Sequence, residues 1–221
     1  MCRFLLVRSK TKINPKKILQ AFTDMCEVSR DTDGDPQKDG WGVAWQEQGI
    51  WNISKSLNPI WTERERLEGI PSTKIVVAHA RSASFPQYKG NVDYNGPYIH
   101  GPVCFVFNGR LYGVKIDRPL EGTIGAQKIF SLLQQEMEKK RDMEEALKSV
   151  QTILKANTRH IQGSNIGVVY DNIFYILCQY DDFPEYFRLH YYQDKELSIV
   201  CSEPILSYNW KSMTKGEVLT L

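Results

Sequence analysis

Little in this chain is in excess, and each shortage excludes a class of function. The net charge is only +2 over 221 residues. Lysine and arginine are not gathered into a patch, so a nucleic-acid partner is not expected. No apolar run approaches the roughly 18 residues that a membrane helix needs. The N-terminus lacks the apolar core and small-residue cleavage site of a signal peptide. The expected location is therefore the cytoplasm, with no membrane partner. Cysteines number five, at Cys2, Cys26, Cys104, Cys178 and Cys201. The count is odd and no two stand as C-x-x-C, so neither a disulfide framework nor a zinc site is indicated. No motif calls for a cofactor or a metal. Internal repeats, low-complexity tracts and linkers are absent, and residues 1–221 are expected to form one domain.

What is present is an apolar fraction of 42%, enough for a substantial core. A buried strand is expected over residues 2–8. Asn14-Pro15 marks a helix start, with Asn14 capping and Pro15 at the first helical position. Residues 29–38 are polar and turn-rich, and a mobile loop is expected there. A hairpin follows over 42–45 and 50–54, then a short helix at 61–67. Lys74–Ala80 is a buried strand. The stretch 82–100 is a long loop carrying Phe85, Tyr88, Tyr94 and Tyr98, and loops of that length commonly carry function. Pro102–Phe107 is another buried strand, ending in an Asn-Gly turn signal. Helices are expected at 125–140 and 143–156. Strands are expected at 165–170, 173–179, 186–191, 197–201 and 216–221. Strands, two helices and strands again imply an α+β layout with antiparallel sheets and helices on their outer faces.

Four short pieces carry chemistry. Cys2 follows the initiator methionine, and removal of Met1 would place a thiol and a free α-amine on one residue. An α-amine has a reference pKa near 8 and can accept the thiol proton near neutrality. By itself, a cysteine opening an apolar strand also serves as a small core residue. Asn108-Gly109 offers a side-chain N–H and a backbone N–H that can meet one oxygen, as an oxyanion hole requires. The same dipeptide is also the favoured hairpin turn. Arg81, at a strand end in His79-Ala80-Arg81, can grip a carboxylate with two hydrogen bonds. His79 alternates with Val77 and is expected to point inward as a structural residue. Asp39-Gly40-Trp41-Gly42 allows close backbone approach, with Trp41 available to wall a pocket.

Together and in this order, these pieces resemble the class II glutamine amidotransferases, which are N-terminal-nucleophile hydrolases. The similarity is to the stand-alone, single-domain type. It implies a four-layer αββα sandwich. It also implies attack by Cys2 on the side-chain amide of glutamine or a γ-glutamyl compound, giving a γ-glutamyl thioester and ammonia or an amine. Catalytic residues by this resemblance are Cys2, Asn108 and Gly109, and substrate-binding residues are Arg81, Gly40 and Trp41. The family carries an acid before its first long helix for the substrate ammonium. Here Gly122-Thr123-Ile124-Gly125 has none, and Asp93, Asp117 and Glu121 lie nearby as substitutes. The implied partner is a small-molecule substrate. A partner synthase that uses the ammonia, and a second copy of the chain, are further candidates. A non-catalytic binding or regulatory module on the same fold is the alternative function.

Overall fold

The computed structural model describes all residues from 1 to 221. β1 (Arg3–Ile13) begins beside Cys2. Its side chains alternate, with Phe4 and Leu6 on one face and Leu5 and Val7 on the other. α1 (Lys16–Val28) starts where the Asn14 Oδ1 accepts the Lys16 N–H at 2.9 Å. β2 (Trp41–Glu47) and β3 (Ile50–Ser56) form the hairpin, turning on Gln48 and Gly49 at positive φ. α2 (Arg64–Glu68) leads to β4 (Thr73–Ala80). β5 (Tyr98–His100) and β6 (Val103–Val114) precede α3 (Gly125–Lys140) and α4 (Met143–Asn157). The chain closes through β7 (Thr158–Tyr170), β8 (Ile173–Cys178), α5 (Pro184–Phe187), β9 (His190–Gln193), β10 (Leu197–Cys201), β11 (Lys211–Ser212) and β12 (Glu217–Thr220).

Two antiparallel sheets result. The first has the order β11-β9-β10-β1-β4-β2-β3 and the second β12-β8-β7-β6-β5. Period-two alternation explains the layers. Phe4, Leu6 and Val77 of the first sheet meet Val106, Phe174 and Ile176 of the second between the sheets. Leu5, Val7 and Ala78 face outward to α1 through Leu19 and Phe22. Phe105, Phe107 and Val168 face outward to α3 and α4 through Leu132, Leu147 and Val150. Helices, sheet, sheet, helices is the expected αββα order. Phe4 and Leu6 are wholly buried, and burial of each such side chain contributes about 1.5–3 kcal/mol. No helix is long and apolar enough to cross a membrane.

Three local expectations need correction. Asn108-Gly109 does not turn the chain, because β6 continues to Val114, pairing Asn108 with Asn165 and Gly109 with Ser164. Residues 186–191 are not one strand. Phe183 takes a positive φ of 49°, Pro184 starts the short α5, and β9 begins only at His190. The 29–38 loop is packed in part: Asp31 is 7% exposed and Gln37 is fully buried.

Candidate active site

β1 pairs with β4 so that Arg3 lies opposite Ala80 and Phe4 opposite His79. This register brings Cys2 to the end of β4 where Arg81 leaves the sheet. Alternation along β6 points Val106 and then Asn108 between the sheets. The Asn108 side chain therefore meets the start of β1 from the opposing sheet. Its Oδ1 accepts the Cys2 backbone N–H at 3.0 Å. Its Nδ2 is buried and has no hydrogen-bond partner. A buried amide left unpaired is costly, and this one lies on the side chain that holds the Cys2 backbone.

The Cys2 thiol differs from the other four. Burial raises it, but the adjacent His79 imidazole, the N-terminal ammonium and Arg81 more than offset this and lower it to about 7. Cys26, Cys104, Cys178 and Cys201 are buried, and burial raises each of their thiols. Only Cys2 is thus poised as a thiolate near neutrality.

His79 is 3% exposed, and its Nε2 lies 3.2 Å from the Phe107 carbonyl. It points inward as alternation predicts, but it points at the cysteine. Sequence reasoning passed over it because the inward neighbours of β4 belong to β1 and to the other sheet.

Arg81 is 5% exposed and pairs with no carboxylate. Its guanidinium donates to the Tyr88 carbonyl at 2.7 Å and to the Asn95 Oδ1 at 3.4 Å. Its backbone is held by Gly40, whose carbonyl accepts the Arg81 N–H at 2.8 Å. Gly40 has φ +108°, and a Cβ there would lie 2.1 Å from the Asn95 Nδ2. Gly40 is thus needed so that Asn95, wholly buried and bonded to the Ser56 carbonyl at 2.8 Å, can sit against β2 and reach Arg81. Neither Gly40 nor Trp41 walls the cavity. Trp41 faces outward into the α1 layer and donates from Nε1 to Glu63 at 2.9 Å. Strand alternation sends it away from Cys2, so the expectation of a pocket-wall tryptophan fails.

The cavity beside Cys2 measures about 250 Å³. His79, Arg81, Gly109, Phe85, Tyr88, Tyr94 and Tyr98 line it, so the four loop aromatics do gather here. Tyr88 packs edge-on against both Phe85 and Tyr94. Asp93, Asp117 and Glu121 are exposed and stand outside the lining. No group of three or more His, Cys, Asp or Glu side chains could hold a metal ion.

Met1 is the second surprise. Its side chain lies in the core between the sheets, and its ammonium pairs with Asp31. Asp31 also accepts from the Ser82 hydroxyl at 3.1 Å and from the Asp33 and Asp35 N–H groups at 2.9 and 3.0 Å. Burial raises its carboxyl, while the Met1 ammonium and the backbone donors pull it below the ordinary value. With Met1 in place, the Cys2 nitrogen is a peptide amide.

No protein-family model matches the sequence, and no curated protein matches it. Solved structures do. A glutamine aminotransferase class-II domain protein from Silicibacter pomeroyi superposes with a TM-score of 0.65 at 17% identity, covering 99% of this chain and 94% of that one. A predicted glutamine amidotransferase from Pseudomonas aeruginosa gives 0.58 at 14% identity, covering 99% and 96%. The glutamine phosphoribosylpyrophosphate amidotransferase of B. subtilis gives 0.70 at 12% identity, covering 99% of this chain and 47% of that longer one. At such low identity the likeness speaks of fold, and it runs the length of the chain. This chain has the fold of the glutamine amidotransferase class II domains, the N-terminal-nucleophile hydrolase sandwich.

Proposed function

We propose that this protein is an amidohydrolase of the glutamine amidotransferase type, with Cys2 as nucleophile. The observation that carries the reading is a lowered Cys2 thiol beside the buried Asn108 side chain, whose Oδ1 accepts the Cys2 N–H and whose Nδ2 has no partner. The active form has lost Met1, since only then does Cys2 own a basic α-amine. Cysteine is small enough for the usual methionine-removing enzyme.

The Cys2 sulfur attacks the carbonyl carbon of a side-chain amide, of glutamine or a γ-glutamyl compound. The amine takes the thiol proton. The carbonyl oxygen gains the negative charge and is met by the Asn108 side-chain N–H and the Gly109 N–H. A donor preset for that oxygen is worth roughly 10²–10³ in rate. The carbon–nitrogen bond breaks, the ammonium of Cys2 protonates the leaving nitrogen, and a thioester remains. Water, activated by the same amine, releases the acid and restores the thiol. Arg81 holds the substrate carboxylate. Phe85, Tyr88, Tyr94 and Tyr98 line the space left for the rest of the substrate.

The test is ammonia or amine release by Met1-free protein, with intact mass taken before and after a glutamine-directed affinity label. Labelling at Cys2 and loss of turnover by about 10⁴-fold or more in Cys2→Ala are expected, as for other nucleophile deletions. Turnover in a chain that keeps Met1, or in Cys2→Ala, would defeat the assignment.

A further inference from the structure

The cavity wall is chemically one-sided. Its charged residues are Arg81, Arg110 and Lys128, and it contains no aspartate or glutamate. Arg110 is already paired with Asp33 at 2.6 Å. Arg81 is buried with only neutral oxygens as partners. Lys128 is exposed, so Arg81 is the one buried cation with room for a ligand carboxylate, and an ammonium has no acidic partner on this wall. Most of the remaining wall is apolar, with Leu111, Ile116, Leu120, Ile124, Ile129 and Leu132 among its members and His79, Ser82 and Ser84 among its polar side chains. The first turn of α3 also faces the cavity through Gly125 and Ala126. The positive end of a helix dipole disfavours a cation there. A charged amine set among these groups would be desolvated without a partner, which is expensive.

Resting on the Cys2 reaction above, we propose that the substrate is a glutamine-type amide whose α-nitrogen is acylated. Its α-carboxylate meets Arg81, its amide side chain meets Cys2, and its acyl arm lies along Leu111, Ile124, Ile129 and Leu132. Acylation removes the positive charge and supplies apolar surface in one step. Each methylene buried in this way raises kcat/KM about threefold to fourfold.

The experiment compares wild-type kcat/KM for glutamine, N-acetyl-glutamine, N-hexanoyl-glutamine and γ-glutamyl-hexylamide. Hexanoyl is expected to exceed acetyl by at least tenfold, and acetyl to exceed glutamine. Ile124→Asp places a carboxylate on the wall at the helix cap of α3, where aspartate is a favoured residue. It is expected to shift the glutamine to N-acetyl-glutamine ratio at least tenfold toward glutamine. Equal or better use of free glutamine by the wild type, or an unchanged ratio in Ile124→Asp, would overturn the proposal. So would preference for γ-glutamyl-hexylamide, which puts the apolar arm on the leaving group. If no amide is turned over, titration of Cys2→Ala with N-hexanoyl-glutamine separates the two ideas. Binding at least tenfold tighter than glutamine keeps the acyl site and refutes the reaction. Binding no tighter than glutamine refutes the acyl site as well.

Discussion

Asn108 offers the sharpest quantitative test of the site. Asn108→Ala removes the unpartnered Nδ2 and also the Oδ1 that accepts the Cys2 N–H. On the rate side, loss of one oxyanion donor costs roughly 10²–10³ in kcat, about 2.7–4 kcal/mol. On the stability side two terms oppose. One hydrogen bond is lost, about 1 kcal/mol net, and one buried unsatisfied donor disappears, which returns about 1–3 kcal/mol. The net lies between no change and a gain of about 2 kcal/mol, an upward shift of at most about 4–8 °C in Tm for a chain of this size. Asn108→Asp separates positioning from charge stabilisation. It keeps an acceptor for Cys2 but sets a carboxylate where negative charge must develop. Single-turnover acylation rates, read by mass spectrometry beside thermal denaturation, measure both terms. Asp is expected to be at least as slow as Ala. Rescue by Asp, or Ala retaining a third of wild-type acylation, would refute the oxyanion assignment.

Two further outcomes follow from the geometry. With Met1 in place, the thiolate form of Cys2 predominates above about pH 7, so the rate of Cys2 alkylation in that chain should rise with pH through that value and fall below it. His79→Phe removes the largest influence lowering the thiol and should move this limb to higher pH, as a pH–rate profile would record; an unmoved limb would exclude His79 from the activation. Gly40→Ala meets both a positive φ and the Asn95 Nδ2 at 2.1 Å. It should cost about 2 kcal/mol or more, from backbone strain of about 1–2 kcal/mol and the displaced buried amide, and raise KM through Arg81; wild-type Tm and KM would refute the linkage between Gly40, Asn95 and Arg81.

The layers were legible wherever alternation was local. Phe4 and Leu6 against Leu5 and Val7 announce a strand buried on both faces, and the order of strands and helices announces two sheets with outer helices. Of the four pieces singled out, the structure brings three together, with Cys2, His79, Arg81, Asn108 and Gly109 in one place, while Gly40 and Trp41 lie outside the cavity wall. What failed depended on partners far along the chain. Asn108-Gly109 has the composition of a turn, but pairing with Asn165 and Ser164 overrides it, and a Cβ at Gly109 would lie 2.2 Å from the Gly163 carbonyl. Trp41 sits next to Gly40, whose carbonyl holds Arg81, yet a one-residue step in a strand is enough to send it to the opposite face. Asp31 lies in a stretch whose polar composition suggests mobility. Its role comes from Met1, thirty residues earlier, and no local pattern carries that information.

The position of Met1 has a consequence for timing. Its side chain is buried between the sheets and its ammonium is held by Asp31, so a folded chain presents no terminus to a peptidase. Trimming then requires the end of β1 to open, and each 1.4 kcal/mol of opening free energy lowers the trimming-competent population about tenfold. On the proposed reaction, which needs Met1 removed, trimming and folding compete from the moment the N-terminus leaves the ribosome. A chain that folds first stays blocked on the timescale of that opening. Two preparations of identical sequence and identical fold would then differ in specific activity according to how fast each was synthesised.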